Sequence, residues 1–431
     1  MSVTAEGSDN PFDWVMQMGE DAHLFIFGGF MSALKKPGAV IGIAVSGGSD
    51  SLALLHILAI AAPRLGINLR AATVDHGLRQ GSAHEAAEVA KICQALGIAH
   101  ETLLWKHDVV VGNLQDQARR ARYALLADWA QRSGVRDVML AHTADDQAET
   151  FLMGLAREAG LDGLTGMRPT WTQAGVRFSR PLLSVCRADL RRFLTRHGVA
   201  WMDDPSNDND RFTRVKARKA LTALKPLGIT VERLAATVGN LAVAQQGLIW
   251  ATSDLWARVG RESAGALHVQ WRDVGYGSAE ISRRLLQTAI KWLAGADYAP
   301  RAQKLVNLEM ALGQGREATL GGCRFRMKDK QLTILREPRA VAGLECPTTQ
   351  LWDNRWHLTG PHAPNLTIRA LGADGLSLCK DWRSLGQPRD ALLVSPAIWQ
   401  DQTLIAAPLA GFSNGWCANC SPSFASFILS H

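Results

Sequence analysis

The residues best suited to chemistry lie in AVIGIAVSGGSDS, from Ala39 to Ser51. Small residues that let the backbone turn tightly and that offer hydroxyl groups follow one another there: Ser46, Gly47, Gly48, Ser49 and Ser51. A helix that starts at such a turn directs free N–H groups at a bound anion. Asp50 adds a negative charge, which suits a phosphate site if Mg²⁺ lies between the two. A helix start capped by serine and aspartate is the alternative, but the full pattern favours nucleotide phosphates.

A second cluster of reactive side chains lies in RDVMLAHTADDQAET. His142 follows a short apolar run, Asp145 and Asp146 come next, and Glu149 lies about one helical turn later. Carboxylates at a helix start are often caps. An acidic cluster with a histidine is also what metal binding or an ammonium-bearing substrate requires. We favour the second interpretation.

Basic residues are concentrated in ARRARY, at Arg119, Arg120 and Arg122, and again between Cys186 and Lys219. Guanidinium groups this close repel one another unless anions lie opposite, although a solvated charged face is the alternative. We predict that six arginines contact RNA: Arg119, Arg187, Arg191, Arg211, Arg214 and Arg218.

The apolar pattern predicts strands and helices in alternation around these motifs, which indicates a Rossmann-like parallel sheet in an α/β fold. The expected strands are Val40–Val45, a run ending at Val74, His100–Trp105 and Val138–Ala141, and the expected helices span about 83–96 and 113–133. Loops at the carboxyl ends of parallel strands form the ligand crevice. Asp75 and His76, which follow the second strand, are therefore expected beside the SGGSDS turn.

The remaining chain predicts further domains. We expect a helical lead-in over 1–38, a catalytic domain over 39–225, a mainly helical domain over 226–337 and a small strand-rich domain over 338–431. Within them, 230–313 predicts long helices, Ala318 to Leu335 predicts hairpin strands, and Pro338 to Pro347 predicts a linker. We expect the five tryptophans of the tail to form core and the dense glycines of GLDGLTGM to form a flexible loop.

Composition sets limits on function. The 431 residues carry a formal charge of +7, which suggests an anionic partner larger than a nucleotide. The seven cysteines are odd in number and scattered, which is typical of reduced thiols, and we expect Cys417 and Cys420 to be structural. Without a basic leader or an apolar run of about 20 residues, a cytoplasmic protein with no membrane partner is expected.

The SGGSDS turn after a buried strand resembles the pyrophosphate loop of the N-type ATP pyrophosphatases (PP-loop enzymes). Seven motifs in order over residues 40–219 resemble the tRNA(Ile)-lysidine synthetases: SGGSDS, VDHGLR, ARRARY, AHTADDQAET, GLDGLTGM, RPLL and DDPSNDNDRFTR. That family adenylates the C2 oxygen of the wobble cytidine of tRNA(Ile) with a CAU anticodon, and free L-lysine then displaces AMP to form lysidine.

The resemblance implies ATP and Mg²⁺ as cofactors and assigns roles to matching residues. Ser46 to Ser51 would hold the ATP phosphates with Asp50 on Mg²⁺, and Asp146 would hold the lysine ammonium or a metal ion. Arg122 and His142 would flank the cytosine. Lysine must lose a proton before it attacks, and His142, Asp145 and Asp146 all remain candidates for accepting it. The family's second basic run, R-N-R-I-R, is replaced by Arg214 to Arg218 with Val215 in place of the asparagine.

Two other functions are compatible with the ATP loop. A tRNA-thiolating enzyme would need paired cysteines near the active edge, and Cys93 and Cys186 do not form such a pair in the sequence. A non-catalytic tRNA-binding relative would have lost Asp50 or the Asp145 and Asp146 pair, and all three are present. The sequence leaves the oligomeric state open, with a homodimer as one candidate.

Overall fold

The computed structural model describes residues 21, 23–24, 38–77, 81–106, 114–202, 213–271, 278–296 and 300–430. The chain divides into two compact units, Met1–Gln245 and Gln246–His431. Most of the predicted lead-in over 1–38 lies outside the described residues.

A six-stranded sheet forms the centre of the first unit. Its strands are β1 (Val40–Ala44), β2 (Asn68–Asp75), β3 (Ala99–Leu104), β4 (Asp137–Met139), β5 (Thr170–Gln173) and β6 (Val176–Ser179). The helices between and after them are α1 (Ser49–Leu65), α2 (Ser82–Ala95), α3 (Leu114–Arg132), α4 (Ala144–Leu155), α5 (Leu161–Leu164), α6 (Arg187–Arg196), α7 (Thr213–Leu224) and α8 (Val231–Val259). Helix α8 continues into the second unit.

The strand order is β3-β2-β1-β4-β6-β5, and the paired neighbours are parallel except for β5, which runs antiparallel to β6. Strands β2 and β3 are therefore added on one side of β1, and the later strands, from β4 on, are added on its other side. In open parallel sheets, such a switch point opens a crevice at the carboxyl ends of the strands. The predicted parallel α/β fold is confirmed, and SGGSDS and HTADD follow the two strands at this point.

Helices pack on both faces of the sheet. Leu52, Leu55 and Phe193, from α1 and α6, lie in the core of one face, and Leu126 and Trp129 of α3 lie in the core of the other. Strand β1 is therefore apolar throughout, as expected for a strand covered on both sides. Gly42 of β1 allows the Trp129 ring to approach closely, since a Cβ there would lie 2.9 Å from this ring.

The strands and helices expected in the first unit begin and end within a few residues of the predicted positions, but some segments contain elements that the sequence did not predict. The GLDGLTGM segment, expected as a flexible loop, contains the short helix α5. Residues 230–313, expected as long helices alone, also contain the antiparallel strands β7 (Gly260–Ser263) and β8 (Ala266–Gln270). Ala264 and Gly265 join them with φ values of 49° and 72°, the left-handed backbone of a two-residue hairpin turn.

The second unit contains helices at Ala279–Ala294 and Ala302–Gly313 and three sheets. A five-stranded sheet runs in the order β7-β8-β11-β10-β9, with β9 (Ala318–Leu320), β10 (Cys323–Lys328) and β11 (Gln331–Arg336). The four-stranded sheet has the order β12-β14-β15-β16, with β12 (Cys346–Pro347), β14 (Thr367–Ala370), β15 (Pro396–Gln400) and β16 (Thr403–Ala406). The pair β13 (Trp356–Thr359) and β17 (Cys417–Cys420) forms the third. Shorter helices span Pro338–Val341, Gly372–Leu378, Arg389–Leu393 and Phe424–Ser430.

The strands, linker, tryptophans and cysteines predicted for the last part of the chain are only partly as expected. The hairpin strands predicted at Ala318 to Leu335 are present. The linker predicted from Pro338 to Pro347 is wrong in part, because it contains a helix and strand β12, which pairs with β14. Four of the five tail tryptophans are buried, as expected for core residues: Trp352, Trp356, Trp399 and Trp416. Cys417 and Cys420 lie on β17 as free thiols.

Among the described residues, no single helix is both long and apolar enough to cross a membrane. One pair, Thr213–Leu227 with Val231–Val259, meets the criterion together by length and composition, but it bends by 100°.

Gly42→Ala tests the close packing behind the site. A Cβ at Gly42 would lie 2.8 Å from Val135 Cγ1, so we expect a loss of about 1–3 kcal/mol in the free energy of unfolding. Gly239→Ala in α8 is the matched control, because its Cβ would meet no atom within 4 Å. We expect that control to be neutral or stabilising, since alanine favours helix. Equal urea midpoints for the two variants would contradict the packing described for β1 and α3.

Candidate active site

The turn after β1 has the form expected of a phosphate site. Gly47 has a φ of 83°, and its carbonyl accepts a hydrogen bond of 3.1 Å from Met202 N. Ser51 Oγ accepts from Ser46 N at 3.1 Å and donates to the Gly48 carbonyl at 3.0 Å, which closes the turn. Within the described part of the chain, no side chain caps the start of α1 at Gly48. The alternative of an ordinary capped helix start is therefore not supported.

The acidic residues after β4 have both structural and electrostatic roles. Thr143 and Asp146 form a capping box at the start of α4, in which Asp146 Oδ2 accepts from Thr143 N at 2.9 Å. Asp145 Oδ2 accepts from the backbone N–H of Arg187 at 2.7 Å and so caps the start of α6. The capping interpretation is thus correct for Asp146 at the start of α4, whereas Asp145 caps a different helix, α6. Asp146 Oδ1 remains directed at cations, with Arg187 Nη2 at 3.7 Å and Arg214 Nη1 at 3.9 Å.

Arg187 lies between three carboxylates. Its Nε donates to Asp50 Oδ2 at 2.9 Å, and its Nη1 lies 3.8 Å from Glu149 Oε1 in addition to the contact with Asp146. Burial opposes the charged form, but Asp50 and Asp146 raise the pKa of Arg187 above its ordinary value. This guanidinium therefore connects the first turn of α1 with α4. We predicted Arg187 as an RNA contact, and the structure surrounds it with the acidic cluster instead of leaving it on an open basic face.

Glu149, which the sequence places in the acidic cluster without an individual role, is fully buried. Its Oε1 accepts from Arg218 Nε at 2.6 Å, while its Oε2 has no hydrogen-bond partner among the residues that the structure describes. Burial raises the pKa of Glu149 despite the hydrogen bond from Arg218. A buried carboxylate oxygen without a partner is costly unless a ligand satisfies it. The sequence offered a signal in the spacing of Glu149, one helical turn after Asp145 and Asp146.

His142 lies at the carboxyl end of β4, half-buried beside Arg180. Arg180 Nε donates to His142 Nδ1 at 3.1 Å. Burial, followed by the positive charge of Arg180, lowers the pKa of His142 to about 3. Arg122 and Asp146 contribute to the same electrostatic environment. Arg180 was noted in the sequence only within the motif RPLL.

The other predicted residues are distributed as follows. Asp75 is the last residue of β2, and His76 follows it at the same edge of the sheet. Asp75 Oδ1 accepts from Gly77 N at 2.9 Å, and the centroids of the His76 and Trp105 rings lie 5.7 Å apart. Arg191 Nε donates to Ser49 Oγ at 3.4 Å. Arg211 lies outside the described residues.

A cavity of about 410 Å³ opens beside these groups. Its lining combines cationic and aromatic side chains, among them Arg119, Tyr123, Arg168, Trp171, Arg180 and Arg214. Arg180 and Arg214 also contact His142 and Asp146, respectively. Two of the residues that line the cavity therefore also contact the reactive groups, and the lining complements an anionic ligand with a flat ring.

The cysteines do not supply a metal or sulfur site in the described part of the chain. Burial raises the pKa of Cys93 to about 11 and that of Cys186 to about 12. All seven cysteines are free thiols. Searched over the described residues, histidine, cysteine, aspartate and glutamate form no group of three that could hold a metal ion.

Arg187→Ala would leave the buried carboxylates without their shared cation. We expect the free energy of unfolding to fall by about 3–5 kcal/mol at pH 8, as when one partner of a buried ion pair is removed. Burial already raises the pKa of Asp50 and of Glu149. A carboxyl group whose pKa is raised in the folded protein destabilises the fold only at a pH at which it must ionise. The loss in the free energy of unfolding of Arg187→Ala should therefore be smaller at pH 5 than at pH 8.

The matched control is Arg132→Ala, which removes an arginine whose side chain is 54% exposed. We expect a change of less than about 1 kcal/mol at either pH. Denaturant unfolding of both variants at pH 5 and pH 8 makes the comparison. An Arg187→Ala deficit as small as that of the control would exclude the role assigned to this guanidinium.

Comparisons with known proteins agree with this geometry. A family model described as a PP-loop domain matches residues 29–224. The tRNA(Ile)-lysidine synthase of Ruegeria pomeroyi is 47% identical over 92% of this chain and 95% of its own length. That of Novosphingobium aromaticivorans is 41% identical over 67% of this chain and 86% of its own.

A solved structure, the U34-tRNA thiolase NcsA from Methanococcus maripaludis with its [4Fe-4S] cluster, is a more distant likeness. It has a TM-score of 0.43 and 16% sequence identity, and the match covers 48% of this chain and 73% of that chain. The curated relatives cover most of the present chain at far higher identity. The chain therefore belongs to the tRNA(Ile)-lysidine synthase family of PP-loop enzymes.

Proposed function

We propose that this protein joins free lysine to C2 of the wobble cytidine of tRNA(Ile) with a CAU anticodon, and that it consumes ATP and releases AMP and pyrophosphate. The observation that carries the proposal is the juxtaposition of two sites at one switch point. The uncapped start of α1 suits phosphates, and the Asp146 and Glu149 carboxylates of α4 suit an ammonium group. Arg187 connects the two.

In the first step, the SGGSDS turn would hold the ATP phosphates while the C2 oxygen of cytidine attacks the α-phosphorus. The bond between the α- and β-phosphates breaks, and pyrophosphate leaves with the electron pair. Free N–H groups at the start of α1 and the hydroxyls of Ser46 and Ser49 would stabilise the growing negative charge.

Asp50 and Asp146 are the residues proposed to hold Mg²⁺. Mg²⁺ in nucleotide sites is commonly bound by one or two carboxylates together with substrate phosphates, so this small donor set fits the ion. Burial raises the pKa of Asp50 against the attraction of Arg187, and a nearby cation would favour its ionised form. When bound, Mg²⁺ would neutralise charge on the leaving pyrophosphate.

In the second step, the ε-ammonium group of lysine first loses a proton, and the resulting amine forms a bond to C2. The bond from C2 to the AMP oxygen breaks, AMP leaves with the electron pair, and a second proton leaves the nitrogen. We propose that Asp146 and Glu149 bind the ammonium group, because both are buried anionic groups and Glu149 Oε2 lacks a partner among the described residues. Asp145 is less suited to accept the proton because its carboxylate already caps α6.

The tRNA would be held by cationic and aromatic groups. We propose that the cavity lined by Arg119, Tyr123 and Trp171 receives the unstacked wobble nucleotide, with Arg122 and His142 beside its base. Arg191, Arg211, Arg214 and Arg218 would contribute positive charge around the RNA backbone. We further propose that residues 226–337 grip the tRNA and that 338–431 help to exclude methionine tRNA. The free cysteine thiols support a cytoplasmic location.

The direct test measures AMP release and the retention of labelled lysine on tRNA(Ile) with a CAU anticodon. We expect Asp50→Ala to lower both rates by about 10²-fold or more, because charge on the leaving pyrophosphate loses its stabilisation. Asp128→Ala, which removes a carboxylate that is 67% exposed on α3, should act like the wild type. Unchanged AMP release from Asp50→Ala would refute the assigned ATP site.

Removal of divalent cations provides a separate test. We expect a chelator to abolish AMP release and added Mg²⁺ to restore it, because a bound triphosphate needs a counterion at Asp50. The Mg²⁺ concentration for half-maximal activity should rise in Asp50→Asn and stay constant in Asp128→Asn. Full activity in the presence of excess chelator would contradict the proposed metal requirement.

A further inference from the structure

Arg180 lies immediately after β6 and is only 5% exposed. Its guanidinium uses every nitrogen: Nε donates to His142 Nδ1 at 3.1 Å, Nη1 to the Arg168 carbonyl at 2.6 Å and Nη2 to the Tyr123 hydroxyl at 3.3 Å. Its central carbon lies 4.0 Å from the centroid of the Trp171 ring. These four partners are uncharged, so they fix the orientation of the guanidinium without neutralising it.

This arrangement determines which nitrogen of His142 carries the proton. A guanidinium can donate but cannot accept a hydrogen bond, so the Nδ1 atom facing Arg180 must be the acceptor. A neutral imidazole then carries its proton on Nε2. The cations that face the ring, Arg180, Arg122 and Arg214, oppose a second proton, whereas Asp146 favours it.

The electrostatic environment supports the same conclusion. Burial and the charge of Arg180 lower the pKa of His142 to about 3, so the ring is neutral near neutral pH. The lone pair at Nδ1 is already used, and Nε2 bears hydrogen. Such a histidine has no free site at which to accept a proton from lysine.

We propose, on the basis of the function proposed above, that Arg180 is a positioning residue that holds His142 as the neutral Nε2–H tautomer, so that His142 acts as a hydrogen-bond donor in lysine transfer and not as the base. When lysine attacks C2, negative charge passes from the ring to the departing AMP oxygen. The Nε2–H of His142 stabilises that charge, and the proton of lysine goes to the carboxylates of α4.

The first test is spectroscopic and uses the full wild-type chain. With ¹⁵N-labelled histidine, we expect the His142 signal, identified by its loss in His142→Gln, to have the pattern of an Nε2–H tautomer that stays neutral from pH 6 to pH 9. In Arg180→Met, which removes the donor that faces Nδ1, we expect a mixture of tautomers. Arg177→Lys, a change at the neighbouring arginine on β6, is the control and should leave the signal unchanged. A protonated ring or an Nδ1–H tautomer in the wild type would overturn the proposal.

The second test uses catalysis. A glutamine amide can donate a hydrogen bond but cannot act as a base, so we expect His142→Gln to retain at least about 10-fold more activity than His142→Ala. We expect Arg180→Met to lower kcat by about 10-fold or more while the KM for ATP changes little. Equal activity of the two His142 variants, both far below the wild type, would instead assign His142 as the base.

The two tests separate failure of this proposal from failure of the proposed function. If the wild type transfers no lysine to tRNA, the proposed function fails, whereas the tautomer of His142 is still measured. If lysine transfer is normal and the ring is an Nδ1–H tautomer, only the role of Arg180 is refuted.

Discussion

The buried contact between Arg187 and three carboxylates is the interaction on which the rest of the site depends. Asp50 comes from the first turn of α1, whereas Asp146 and Glu149 come from α4. Three carboxylates this close, of which Asp146 and Glu149 are buried and Asp50 is half-buried, would repel one another and would resist ionisation without this cation. One side chain from the start of α6 therefore makes a charged site possible between two loops that are distant in sequence.

The topology of the sheet makes this contact geometrically available. Because the strand order reverses between β1 and β4, the loops after these strands open onto one crevice. Helix α6 then returns to the same edge, where Asp145 caps its start at Arg187. The hydrogen bond from the Arg187 backbone to Asp145 thus fixes the position of the residue whose side chain contacts the acidic cluster. The same contact stabilises the fold and positions the reactive groups.

The sequence predicts those parts of the site that depend on local pattern. The buried strand, the glycine turn and the helix of SGGSDS are within one short segment, as are β4, His142 and the carboxylates of α4. Contacts between distant segments were not predictable: Arg187 meets Asp50 over 137 positions and Arg180 meets His142 over 38. Arginines that look like a basic RNA surface in sequence are partly paired inside the site. The sequence does not predict the β7–β8 hairpin, because its two strands are short and follow the long helix α8 with only a two-residue turn between them.

Arg187 and Asp50 interact directly and thereby hold the site together, and a double-mutant cycle measures the strength of this interaction. The free energy of unfolding of the wild type, Asp50→Ala, Arg187→Ala and the double variant would be compared at pH 8. We expect a coupling energy of about 1–3 kcal/mol, because the second substitution removes a charge that the first has left unpaired. If the effects of the two single variants add to that of the double variant within about 0.3 kcal/mol, Arg187 and Asp50 do not interact.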